Sequence, residues 1–190
     1  MTDNLAWRLV SEKDIDTLAA IHDAVACRQI FYDIFSFQGM ASTTGAPLDL
    51  LLDMYLYLYV FCKERELTPL KTSVVLAIMH RVIQRDLFLQ SSDHGKQAPW
   101  TLPDSFDHFQ SLLLQHSVER PPISTGIFNA ADVASTVEYV THSYYRHFNL
   151  YQVIFIPQTH VSIVQAHDTP SACNIASYEG ADTPGNPRPL

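Results

Sequence analysis

Basic charge is scarce in this chain: twelve Lys and Arg stand against twenty Asp and Glu, for a formal net charge of −8. No stretch gathers the few cations into a surface that reads phosphates, so nucleic acid is not an expected partner. Cysteine is nearly absent, with Cys27, Cys62 and Cys173 odd in number, widely spaced and without a CxxC pair. That argues against a disulfide framework or a zinc knuckle and suits a reducing compartment. Long hydrophobic runs are missing. The longest, Leu50 to Cys62, is interrupted by Asp53 and falls short of the roughly 20 apolar residues that span a bilayer. The start, MTDNLAWRLVSEKD, has no cationic segment leading into an apolar one, so the expectation is a cytosolic protein without a membrane segment. Missing too are GxSxG, GxxxxGK[ST], GxGxxG and the calcium loop of the EF-hand.

What is present is helical. With 190 residues and 47% hydrophobic side chains the chain can build one domain around a sizeable core. Ser11 followed by Asp14 is a capping-box start, with Ile15, Leu18, Ala19 and His22 on one face of a first helix. A second apolar run, Ile30 to Phe37, precedes the loop-like GMASTTGAP. From Leu48 to Leu67 there is no Gly or Pro, and Asp49, Asp53, Tyr57 and Glu64 form a narrow polar stripe. Leu51, Leu52, Tyr55, Leu58, Tyr59, Phe61 and Cys62 fill the remainder, which predicts a central helix. Thr68-Pro69 reads as an N-cap followed by proline at the first helical position, opening a helix to about residue 88. Its expected buried face is Leu70, Val74, Ala77, Ile78, Val82 and Ile83, with Lys71, Arg81 and Arg85 outside. Residues 90–104 have loop chemistry with Trp100 as a pin, and Phe106, Phe109, Leu112 and Leu113 mark another helix.

The stretch from Arg120 to Ile156 is read as the one around which the chain is organised. Pro121 and Pro122 hold the backbone extended, Asn129 caps a helix from about Ala130, and Asp132 meets its positive dipole end. Val133, Val137, Val140, Tyr144, Phe148 and Tyr151 then draw one apolar stripe down it, opposite Glu138, His142, Arg146 and Asn149.

Nine histidines invite a metal reading, but His142 and His147 lie five apart, about 140° around a helix, and His108 and His116 lack an acidic or Cys companion at ligand spacing. Surface or capping histidines are the expectation. Asp49 and Asp53 form a carboxylate pair without a matching His or Lys, hence a solvated stripe rather than a catalytic pair. No catalytic residue, cofactor or metal is therefore expected.

Two blocks in order carry a resemblance. RPPISTGIFN with YVTHSYYRHFNLYQVIF, and upstream LDLLLDMYLYLYVFCKERELTPLKTSVVLAIMH, resemble the CLAMP domain family, over roughly residues 48 to 156. The sequence departs from the family pattern at Ile123, where an aromatic usually follows RPP, and at His142, where Asn is usual. The resemblance implies a subunit of a central-pair projection in motile cilia and flagella, located in the axonemal cytoskeleton, with other projection subunits and calmodulin among its partners.

The reading is then an all-α compact bundle of five to seven helices. Residues 1–45 form accessory helices, 46–165 a CLAMP-like helical domain and 166–190 a tail too rich in Pro, Gly, Ser, Thr and Asp to order itself. The expected function is a non-enzymatic protein-protein interaction scaffold in ciliary motility. Its partner face is the outward side of the last helix: Arg120, Pro121, Pro122, His142, Arg146, His147 and Tyr151, a local reversal of sign that favours acidic partners. The alternative is a small-molecule-binding or enzymatic bundle with a pocket lined by Tyr55, Tyr59, Tyr144 and Tyr151, discriminated by a formed internal cavity with convergent polar groups.

Overall fold

Four helix starts are capped by a side chain. In the computed structural model, which describes residues 4–35, 45–88, 100–119 and 126–156, three starts are capping boxes with Asp at the third helical position. Ser11 with Asp14 opens α1 (Glu12–Ala20), Thr101 with Asp104 opens α5 (Leu102–Gln115), and Asn129 with Asp132 opens α6 (Ala130–Ser143). Each satisfies two otherwise orphaned N–H groups and sets a carboxylate at the positive end of the helix dipole. Thr68 caps α4 (Pro69–Ile83), with proline at the first position as expected. Gly45 precedes α3 (Ala46–Glu64) at φ +70°, where a side chain would be strained. The remaining elements are α2 (Ala24–Phe35), a π-helical turn Gln84–Phe88 that continues α4, a 3₁₀ turn Tyr145–His147, and α7 (Phe148–Phe155). The fold is all-α among the described residues.

On α3 all seven residues expected inside are buried, while Asp49, Tyr57 and Glu64 of the polar stripe are exposed and Asp53 is half-buried. The centre of the molecule is nevertheless α4. From Thr72 to His80 every residue is buried, with α1, α3 and α5 packed around it. Its polar side chains are inside because each has a partner: Ser73 Oγ donates to the carbonyl of Val10 at 2.6 Å, and His80 Nδ1 shares a hydrogen bond with the Tyr55 hydroxyl at 3.0 Å. Satisfied polar groups cost little to bury, so a helix read by its polar residues as one-faced is wrapped instead. Tyr57 of α3 is 63% exposed and Val60 39%, so that helix is peripheral on one side.

Two further expectations are corrected. α1 ends at Ala20 because Ile21 turns extended, and Ala19 and His22 are exposed rather than part of the buried face. The stripe from Val133 to Tyr151 does not run down one helix: the 3₁₀ turn breaks it, Val133, Val137 and Tyr151 are half-buried, and Tyr145 is buried beside Tyr144.

α1 packs on α4 and α2 on α3, where Phe31 and Phe35 meet Tyr55 and Phe35 stacks on the His80 ring at 4.5 Å. α6 is held by Lys71 Nζ to Asp132 Oδ2 at 2.6 Å and by the Phe61 and Tyr139 rings, stacked at 4.2 Å. The described residues belong to one compact unit. The tail assigned to 166–190 lies outside the described residues.

Candidate docking surface

Two buried polar centres fix the walls of the site. At the first, Asp86 of the π turn is fully buried; its Oδ2 accepts from Ser105 Oγ at 2.5 Å and from the Tyr144 hydroxyl at 2.9 Å. The Tyr145 hydroxyl donates to the Ser105 carbonyl at 3.1 Å. Burial pushes the Asp86 carboxyl above its ordinary range, with the two hydroxyl donors pulling the other way. Burial also raises both tyrosine hydroxyls. Closed to solvent, this group ties the end of α4, the start of α5 and the junction of α6 with α7. Drawing consecutive tyrosines inward is what a regular α-helix, with neighbours about 100° apart, does badly, and the chain tightens into a 3₁₀ turn there. Ser143 Oγ bonds back to the Tyr139 carbonyl at 2.7 Å, which favours a bend at the same place.

The second centre is His116, which caps the end of α5, one of the two roles expected of the histidines, and is buried there. Its Nε2 accepts from the Leu5 N–H at 3.1 Å, so Nδ1 carries the proton and donates to the Leu112 carbonyl at 2.8 Å. The His116 carbonyl accepts from Ile127 and Phe128 N–H groups, pinning the approach to α6. His80 is likewise buried, which lowers its pKa to about 4.

With α6 and α7 so placed, their outer side faces α3 across an open groove of two adjoining spaces, each about 520 Å³. One bank is a straight line down α3, Leu50, Met54, Tyr57, Phe61 and Glu64 at steps of four, three, four and three. The other bank is Tyr139, Ser143, His147 and Tyr151 at steps of four. At the Glu64 end the groove adds Arg65, Ser135, Glu138 and His142. One half is thus mainly aromatic and aliphatic, with Asp53 and His147 on its walls, and the other is charged. Burial raises the Tyr139 hydroxyl to about 12, and raises that of Tyr151, so both rings meet a partner neutral.

The expected partner residues divide accordingly. His142, His147 and Tyr151 line this groove; Arg146 is exposed in the 3₁₀ turn but is not among the lining residues. Arg120, Pro121 and Pro122 lie outside the described residues. The purely cationic sign expected here is not found in the groove, because α3 brings Glu64 and Arg65 opposite Glu138 and His142, a juxtaposition that sequence spacing does not carry. The four tyrosines of the alternative pocket do not surround one internal space. Tyr55 is enclosed by Phe31, Phe35 and His80; Tyr59 sits edge-on to Phe31; Tyr151 stacks on Tyr144 and faces the external groove.

Among the described residues no three His, Cys, Asp or Glu are grouped to hold a metal ion, and no helix is long and apolar enough to cross a membrane.

A family model described as CLAMP, flagellar C1a complex subunit C1a-32, matches residues 57–163, more than half of the chain. The chain belongs to the CLAMP family. Membership places it among subunits of the flagellar C1a complex, a central-pair projection of the axoneme, with axonemal partners. The matched CLAMP region runs from Tyr57 on α3 through α7. It therefore includes the whole α6–α7 bank and the α3 bank from Tyr57 onward, while α1 and α2 precede it.

Sequence reasoning missed Asp86, and one signal for it existed. A carboxylate at the C-terminal end of an apolar helix, followed by Leu87 and Phe88, is misplaced against the dipole, and such a misfit points to buried donors.

Proposed function

We propose that this CLAMP protein is a non-enzymatic structural subunit of the C1a projection that works as an interaction scaffold in ciliary motility. The observation that carries this reading is the α3 to α6–α7 groove, open along its length and bordered by the exposed Tyr57 and Val60. Exposed aromatic and apolar side chains in a concave surface are the usual anchors of a protein interface. His142, Arg146, His147 and Tyr151 complete the partner face, with Arg120, Pro121 and Pro122 leading into its helix. Other projection subunits are the partners, calmodulin a candidate among them, and no cofactor takes part. In this reading residues 1–45 are accessory helices to the CLAMP unit over 46–165, and 166–190 is a tail.

The test is to tag the endogenous protein in ciliated cells and to compare wild type with the Arg146→Ala, His142→Ala double variant. Wild type should co-purify with axonemes and localise to the central pair. The double variant should incorporate less at an unchanged melting temperature, since both side chains are exposed. Undiminished incorporation of a folded double variant removes Arg146 and His142 from the partner face. Absence of the wild type from axonemes removes the scaffold reading itself.

A further inference from the structure

We propose that the groove between α3 and α6–α7 receives a single α-helix of a partner protein, apolar along one side and carrying Lys or Arg at the end that lies over Glu64 and Glu138. The inference rests on the scaffold reading above and names the chemistry of what docks.

The groove's shape gives the first reason. Leu50 to Glu64 spans fourteen helical steps, roughly 21 Å, and the facing bank runs alongside from Ser135 to Tyr151. Two helices side by side leave a trough whose ridges repeat every three or four residues, which is the period a third helix presents. An extended peptide finds no such match. Both walls are helices whose backbone donors and acceptors are used internally, so no ladder is on offer to a strand.

Chemistry along the groove fixes the orientation and the sign. Leu50, Met54, Tyr57, Val60 and Tyr151 make one half largely apolar and aromatic, with its Asp53 paired to Arg28 of α2, and suit the i, i+3, i+4 and i+7 residues of an amphipathic helix. In the other half Glu64 stands on the α3 bank and Glu138 on the α6 bank, both exposed. Two carboxylates on opposite banks favour a cation laid between them. Arg65, on the same rim, is drawn over the Phe61 ring at 6.0 Å. A second copy of the chain fits poorly: each copy carries a net charge of −8 and would bring its own carboxylates to this end.

The test uses the full chain in ciliated cells. A benzophenone amino acid is placed at Val60, within the groove, or at Val25, exposed at 67% on α2 and not among the residues that line the groove. Axonemes are isolated and irradiated, and the cross-linked segments sequenced by mass spectrometry. The Val60 probe should give about tenfold more adduct than the Val25 probe. It should join a segment of another subunit with apolar residues at helical spacing and Lys or Arg at one end. The Glu64→Lys, Glu138→Lys variant should cut that adduct about fivefold at an unchanged circular dichroism spectrum and melting temperature. An adduct to a second copy, to an acidic segment, or to one without helical spacing overturns the proposal. So does a chain that incorporates into axonemes with no Val60 adduct, which leaves the scaffold reading standing. A chain missing from axonemes overturns both.

Discussion

Glu66 closes α3 in a conformation that suits another residue. Its φ is +52°, and the turn is completed by the Leu67 N–H to the Cys62 carbonyl and the Glu66 N–H to the Lys63 carbonyl, the Schellman arrangement in which glycine is preferred. A side chain there costs about 1 kcal/mol, partly offset by the entropy glycine adds to the unfolded chain. Glu66→Gly should therefore stabilise the protein by roughly 0.5 kcal/mol, a rise of about 1–2 °C in melting temperature by calorimetry. A lowered melting point would show that the Glu66 side chain makes a contact worth more than its strain. His80 sets a pH dependence. Its folded pKa is depressed to about 4 from 6.5, so between those values the unfolded chain binds the proton and the folded one resists it. Stability then rises with pH across that window and is lost as pH falls from 6.5 toward 4, by an amount on the order of 3 kcal/mol. Burial also lowers the pKa of His116, which acts in the same direction, whereas the raised carboxyl of Asp86 acts in the opposite one. The contribution of His80 is isolated by the difference between wild type and His80→Gln in urea titrations from pH 7 to 4. The variant's stability should fall less, and parallel pH profiles would contradict the account.

At the scale of elements, the break between α6 and α7 stands on the Asp86, Ser105, Tyr144 and Tyr145 group. Tyr144→Phe removes one donor to a buried carboxylate and should destabilise by about 1.5–3 kcal/mol; Ser105→Ala should cost a similar amount. The double variant should fall short of the sum by 0.5 kcal/mol or more, on the order seen for groups sharing one partner. Strict additivity in chemical denaturation would mean that the two hydroxyls do not share Asp86. The helices with a single buried face were legible in the sequence because burial there follows period alone: the seven inward residues of α3 are all inside, and Asn129 with Asp132 starts α6 where the capping rule puts it. What escaped was decided by long-range polar partners. Ser73, His80, His116 and Asp86 find carbonyls, hydroxyls and N–H groups between 19 and 111 residues away, so the wrapping of α4 and the 3₁₀ turn could not be read from spacing. The docking groove shows the same division. His142, His147 and Tyr151 were visible as an outward face, whereas the α3 bank was hidden because nothing local says that Tyr57 and Glu64 come to lie opposite them.

At the scale of the molecule, His80, Asp86, His116 and the buried aromatic rings serve as internal ties, and the α3 to α6–α7 groove presents a concave, two-toned surface to the outside. The proposed function requires that the chain enter its projection through that surface. The direct measurement is the fraction of tagged chain retained in detergent-extracted axonemes for the Tyr57→Asp, Val60→Asp variant. Val25→Asp serves as control, with melting temperatures matched on the purified proteins. All three substituted side chains are exposed, so neither variant should lose stability beyond about 0.5 kcal/mol. The groove variant should lose retention tenfold or more, about 1.4 kcal/mol of binding, while the control is retained like wild type. Equal retention of both folded variants would contradict the claim that this chain joins the axoneme through the α3 to α6–α7 groove.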